Sequence, residues 1–340
     1  MGNVACCDRK TELGNAELIQ DSNRDISEIE PQVSRIQNTY RLHKAKKSLK
    51  QKSLQSKEEF ESKLAEHGQY ITSEEMEALI NPIILETDKQ LTTTTELPEN
   101  IYKYSFTLPP IKFNNGNIYS GNWNYNGKKE GFGINLKPDG SLYKGYWEND
   151  QINKYGTFIE PKGNYYQGEF KGGVSEGKGV LYIKDKLKYT GDFKNDVQNG
   201  KGIEENYEDN TVYEGDFING QREGMGKLKF NDGTIYEGEF KNGQFNGKGI
   251  LKFYDNKQYE GDFKDGKMNG KGTFTWANGS KYIGDYVNGF KQGYGSFYWN
   301  DDQYYDGYWM NNKQHGEGCL HLNDRQLKGQ FRFGKIIMKK

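Results

Sequence analysis

The chain has 340 residues with only 33% apolar content, a mean hydropathy of −1.02 and a formal charge of −1, which argues against large cores and gives no overall bias toward nucleic acid. Seven prolines and the lack of a long apolar run exclude collagen and a membrane-crossing helix. With 43 Gly, 25 Tyr and 18 Phe, the apolar material is aromatic and dispersed, as in thin architectures where each unit buries a few rings against its neighbour.

Residues 1–20 read as a flexible terminus. After removal of the initiator Met, Gly2 would be exposed ahead of Cys6 and Cys7. This resembles a myristoylation signal, with Cys6 where Ser or Thr is usual, and the cysteine pair beside it suits palmitoylation. One acyl chain holds a protein to a membrane only marginally, so stable anchoring would need the cysteines as well. The competing reading is an ordinary terminus that happens to begin with Gly. Cys319 is the only other cysteine, which leaves no disulfide framework, and no signal-peptide pattern is present at the start. An intracellular location is the expectation.

Residues 21–66 read as a helix with a basic second half. Ile26, Ile29, Val33, Ile36 and Tyr40 form a stripe at spacings of three and four, suited to a short coiled coil or to docking on the sheet or a partner. From Arg41 to Lys57 there are seven basic residues and no acid, including the patch Lys44, Lys47, Lys50 and Lys52, which would attract anionic headgroups. Ile36, Gln37, Arg41, Lys46 and Leu49 resemble an IQ motif, which implies a calmodulin-like partner, although Leu42 stands where that motif usually has Gly. A solvated basic helix face is the alternative.

Residues 67–112 read as a short helix and a linker. Thr72 or Ser73 opens the helix, Glu75 completes a capping box, and Pro82 lies beyond its end. Thr92 to Thr95 and Pro98 read as linker, and Phe106 to Pro110 as an extended entry to the first hairpin.

Residues 113–335 are repetitive. An aromatic-x-Gly-x-aromatic core recurs every 23 or 24 residues, as Tyr119-Gly121-Trp123, Tyr143-Gly145-Trp147, Tyr166-Gly168-Phe170, Tyr189-Gly191-Phe193 and Tyr213-Gly215-Phe217. It continues as Tyr236-Gly238-Phe240, Tyr259-Gly261-Phe263, Tyr282-Gly284-Tyr286 and Tyr305-Gly307-Trp309, with an eroded copy at Leu327 to Phe331. A Gly-x-Gly comes after each core, except that Lys154 replaces the first glycine of the second copy. Alternating runs ended by Asp139-Gly140, Asp232-Gly233 or Asn278-Gly279 predict hairpins, with both turn residues at positive φ. The expected fold is mainly β, an elongated single-layer antiparallel sheet of nine to ten hairpins. Eighteen strands would extend it roughly 85 Å. Acids such as Glu214, Glu237 and Glu239 fall on the face opposite the rings, beside Lys227, Lys229 and Lys252, and cross-strand charge pairing accounts for them.

These residues, YEGDF or YEGEF followed by NG and GKG, closely resemble the MORN (membrane occupation and recognition nexus) repeat over about two thirds of the chain. The resemblance implies a scaffold of the kind found in junctophilins, radial-spoke heads and protozoan cytoskeletons, with protein partners or phospholipid headgroups. No catalytic constellation, cofactor motif or zinc spacing accompanies it. Gly172 to Gly179 nearly spells a phosphate-binding loop, but Gly179 replaces the Ser or Thr that would hold Mg²⁺. The expected function is a non-enzymatic scaffold on the cytoplasmic face of a membrane. The alternatives are a structural subunit of a ciliary or cytoskeletal assembly, or an accessory chain of a lipid kinase.

Overall fold

The computed structural model describes residues 57–91 and 105–337, together with Arg41, Lys44, Lys47, Leu54 and Gln55, all five of which are helical. The candidate acylation residues Gly2, Cys6 and Cys7, the Ile26 to Tyr40 stripe, most of the IQ-like residues (Ile36, Gln37, Lys46 and Leu49), Lys50, Lys52 and the 92–98 linker lie outside the described residues. The chain divides into two units, residues 1–62 and 63–340. In the first, residues 57–62 are helical, and Lys57 pairs with Glu61 one turn on, at 3.5 Å.

The second unit is one open antiparallel sheet of 22 strands among the described residues, and every strand pairs with its neighbours in the sequence. It runs from β1 (Gly68–Tyr70) and β2 (Ser105–Phe113) to β22 (Lys335–Ile337). Eighteen strands are the nine hairpins expected from the repeats. The other four are β1 and β2 in front and two strands from Arg325 onward, which the eroded copy supplies.

In every hairpin after the first, the tight turn lies at the other end from the one the Asp-Gly signal suggested. Strand β13 (Ile235–Lys241) joins β14 (Gln244–Lys252) through Asn242 and Gly243, with φ of 50° and 74°. Both central residues are left-handed, as the twist of a two-residue hairpin requires. At Asp232-Gly233 only the glycine has positive φ. There the Gly233 amide donates to the Phe230 carbonyl, and the Asp232 carboxylate accepts the Thr234 amide at 2.8 Å, which closes a longer connection.

Within each hairpin the second Gly-x-Gly strand carries a bulge. Gly238 faces Gly249, but Glu239 faces Asn246, so Gly247 and Lys248 are extruded. Gly247 takes φ of 58°, and Glu239 accepts the Lys248 amide at 2.9 Å, so the acid after the core glycine caps an amide that the bulge has freed from the ladder. The same role falls to Asp192 toward Lys201 and to Asp262 toward Lys271.

Two helices lie on the first hairpins. Helix α1 (Ser73–Ala78) begins with the expected capping box, Thr72 and Glu75 each satisfying the other's amide at 3.1 and 2.6 Å. Helix α2 (Pro82–Gln90) was not expected. Asn81 caps it and Pro82 sits at its first position, where a missing N–H costs nothing. Met76 and Ile84 pack on Ile118, Leu136, Leu142 and Ile159, all buried, on the sheet face opposite the tyrosines. Asp88 on α2 pairs with Lys144 at 2.9 Å and fixes the helix on the sheet.

Candidate interaction surface

One face of the sheet is a continuous stack of rings. Each core tyrosine is buried and donates its hydroxyl to the carbonyl three residues on, from Tyr119 to Asn122 through Tyr236 to Glu239 to Tyr305 to Tyr308, at 2.8–3.1 Å. The tyrosine meets the second aromatic of its own repeat edge-on, and then that of the next. Tyr213 thus lies 5.1 Å from Phe217 and 4.9 Å from Phe240, and Tyr236 lies 5.1 Å from both Phe240 and Phe263. The series runs unbroken from Trp123 to Phe331.

Glycine is what lets the tyrosine lie flat. A β-carbon at Gly249 would stand 2.6 Å from Cε2 and 2.7 Å from Cζ of Tyr236. The paired Gly238 would meet both the Gly249 backbone and the same hydroxyl. The predicted core residues are therefore brought together in full, and they are spent on packing. Burial pushes the tyrosine hydroxyls up, with help from neighbouring carboxylates in most repeats; Tyr213 and Tyr305 reach about 12.

Two lysines enter this face in a way that sequence reasoning missed. Lys291 Nζ lies 4.8–5.1 Å from the centroids of Trp276, Tyr282, Phe297 and Trp309, and burial lowers its pKa to about 8. Lys129 is held likewise over Phe113, Tyr119 and Trp147; burial lowers its pKa, and Asp150 opposes that shift. Each faces the second aromatic of its repeat across the hairpin, a place that elsewhere holds Ile152, Ser175, Gln198, Arg222, Phe245, Met268 or Gln314. That column varies from copy to copy, so its lysines carry no signature in the repeat.

The opposite face is charged. The tightest pairs join the lysine between two glycines to the acid facing it on the next hairpin: Lys178 to Asp192, Lys201 to Asp216 and Lys248 to Asp262 at 2.6 Å, and Lys271 to Asp285 at 3.0 Å. The pairing expected around Lys227, Lys229 and Lys252 is looser, with Lys227 4.0 Å from Glu237. The hydrogen bond from Lys248 holds Asp262 below the usual carboxylate range, against the effect of burial.

Other candidates have ordinary settings. Gly172 and Gly173 form a two-residue turn, and Gly177 and Gly179 lie in a strand, so no helix N-terminus stands where a phosphate-binding loop would need one. Cys319 is a half-buried strand residue. Among the described residues no three His, Cys, Asp or Glu side chains converge as metal ligands. Arg41, Lys44 and Lys47 are exposed helical positions.

This geometry defines a hairpin-repeat protein whose recurring positions serve the ladder and whose exposed positions differ from copy to copy. The model of the MORN repeat matches eight segments, 119–142, 166–187, 189–206, 213–235, 236–258, 259–281, 282–304 and 305–326, which together make up more than half of the chain. The chain belongs to the MORN-repeat family, a non-catalytic repeat module. The model passes over residues 143–165, where Lys154 replaces glycine, yet Tyr143 and Trp147 there take their full place in the ring series.

Comparison with curated proteins finds no match. Among solved structures, the TCP10 domain of Danio rerio CPAP in complex with a STIL peptide is 12% identical, with 69% of this chain and 96% of that one covered and a TM-score of 0.34. The TCP domain of Drosophila melanogaster SAS-4 with a proline-rich motif of Ana2 is 14% identical over 53% and 85%, with a TM-score of 0.29. Likenesses at this level carry no inference about function.

Proposed function

We propose that this chain is a scaffold: lipids on Gly2, Cys6 and Cys7 hold it to the cytoplasmic face of a membrane while the sheet displays its charged face to protein partners. The observation that carries the scaffold reading is the division of labour within each repeat. Tyrosine, glycine and the second aromatic are consumed by packing, and the exposed set, such as Phe132, Lys178 and Met225, changes from hairpin to hairpin. A surface of this kind presents groups at fixed intervals and converges on no single point. The terminal Gly-x-x-x-Cys-Cys pattern supports the anchor. The basic run from Arg41 supports an added attraction to anionic phospholipid, and its IQ-like residues support a calmodulin-like partner.

Fractionation of cells expressing wild type, Gly2→Ala and Cys6→Ser/Cys7→Ser, each tagged at the C-terminus, tests the anchor. Wild type should sediment with membranes and be released by mild detergent, and both variants should shift to the supernatant. Equal membrane recovery of all three overturns the lipid mechanism. Retention of every form in a detergent-insoluble pellet favours instead a structural subunit of a ciliary or cytoskeletal assembly.

A further inference from the structure

The charged face carries a trough over the glycine row. Two consecutive stretches of about 850 and 830 Å³ meet at Met225 and Glu237 and together run from Tyr155 to Ser296. At the ordinary spacing between strands this is about 58 Å of groove.

Its two banks differ in what they leave free. On one bank Lys178, Lys201, Lys248 and Lys271 are each neutralised by the aspartate they face. On the other stand Glu214, Glu237 and Glu260, one every second strand, and Glu237 has Lys227 at 4.0 Å. Net charge along the middle of the trough is therefore negative. Apolar side chains flank the acids: Ile203 faces Glu214, Ile250 stands between Glu237 and Glu260, Ile283 takes the acid's place two strands beyond Glu260, and Met225 lies on the lysine bank. Ile203 is 41% exposed, Met225 56% and Ile283 45%. The floor is backbone already paired on both sides, so a partner here cannot be recognised by adding a strand and must be read through side chains.

The acids recur every two strands, about 9.6 Å. A polyproline II helix has three residues per turn and advances about 9.3 Å in that turn, with no internal backbone hydrogen bonds to satisfy. A β-strand brings a side chain to the same face about every 6.8 Å, and seven residues of α-helix span about 10.5 Å. Only the first stays in step over several hairpins.

Building on the scaffold reading, we propose that this trough binds a basic, proline-rich protein segment in the polyproline II conformation. The segment lies across the strands, sets an Arg or Lys at every third position against Glu214, Glu237 and Glu260, and rests its prolines on the steps at Ile203, Met225, Ile250 and Ile283.

The test is fluorescence polarisation on the full chain with a labelled peptide of about twelve residues, four turns of Arg-Pro-Pro. Two controls accompany it, a peptide of the same composition with its arginines in one block, and a Glu-Pro-Pro peptide. Binding of the periodic peptide is expected, with about tenfold loss in Glu214→Gln/Glu237→Gln/Glu260→Gln and a similar loss in Met225→Arg. The block peptide should bind at least several-fold more weakly, and the acidic one should not bind. Both variants alter exposed side chains, and an unchanged far-UV spectrum shows that they fold. Equal affinity for periodic and block peptides, indifference to the triple substitution, or no binding of the periodic peptide overturns the proposal. Membrane recovery of the triple variant reads the anchor separately and should stay at the wild-type level.

Discussion

Two positions show opposite relations between side chain and backbone. Lys154 sits at φ of 62° where the other repeats place the first glycine of Gly-x-Gly, and Asn153 supports it by accepting its amide at 3.0 Å. Its side chain is exposed, so replacement removes strain without removing packing. Lys154→Gly should stabilise the chain by about 1 kcal/mol, the usual cost of a left-handed non-glycine residue. Gly249 is the converse case. Its φ suits any residue, yet a β-carbon there meets the Tyr236 ring. Gly249→Ala should cost about 3 kcal/mol, because the ring must leave its groove or the strands must part. Denaturant titration of both variants checks the signs; a destabilising Lys154→Gly would show that the backbone there is unstrained.

Between residues and sheet stands the hairpin, and here the turn decides. Asn242-Gly243 to Ala-Ala should cost about 2–3 kcal/mol, since both positions would hold a β-carbon in the left-handed region. Asp232→Ala should cost about 1 kcal/mol at most, because one side-chain hydrogen bond is lost and the backbone is otherwise tolerant. Equal losses in denaturant titration would return the tight turn to Asp232-Gly233. The two ends of the hairpin could not be ranked from sequence because both carry an Asn-Gly or Asp-Gly pair, and what separates them is the number of residues between paired strands. The ring and glycine columns were legible for the opposite reason: period-two alternation repeated nine times leaves one register. Helix α2 was missed because Pro82 reads equally as the end of one helix and the first residue of another. The groove was legible only in part. Glu237 and Glu239 were placed on the correct face, but which lysine each acid meets depends on the bulge, a two-residue shift with no signature apart from the glycine that permits it.

Across the whole sheet the rings form a single series, and its stability has one chemical dependence. Nine core tyrosines are buried, and each donates its only proton to a backbone carbonyl. A phenolate could neither make that bond nor remain unsolvated, so burial raises the pKa of all nine above the ordinary value of 10.0. For an acid whose folded pKa is raised, the unfolded chain loses protons first. The stability these groups contribute is thus complete below pH 10 and falls as pH rises through about 12, where Tyr213 and Tyr305 would ionise in the folded state. Lys291 runs the other way. Its lowered pKa penalises the fold below about pH 8, and that penalty disappears above its ordinary 10.5. Lys291 and Lys129, which burial shifts the same way, cannot offset nine tyrosines once pH exceeds 10. Alkaline titration should therefore show the exposed tyrosines ionising first and the core set only together with loss of the β-sheet signal in circular dichroism. Because each tyrosine ring touches the second aromatic of its own repeat and that of the next, ionisation of one exposes its neighbours, and the second phase should be steeper than a single-group curve. If all 25 tyrosines ionised in one broad step near pH 10 with the sheet signal intact, the ring series would not be the buried structural axis of the sheet.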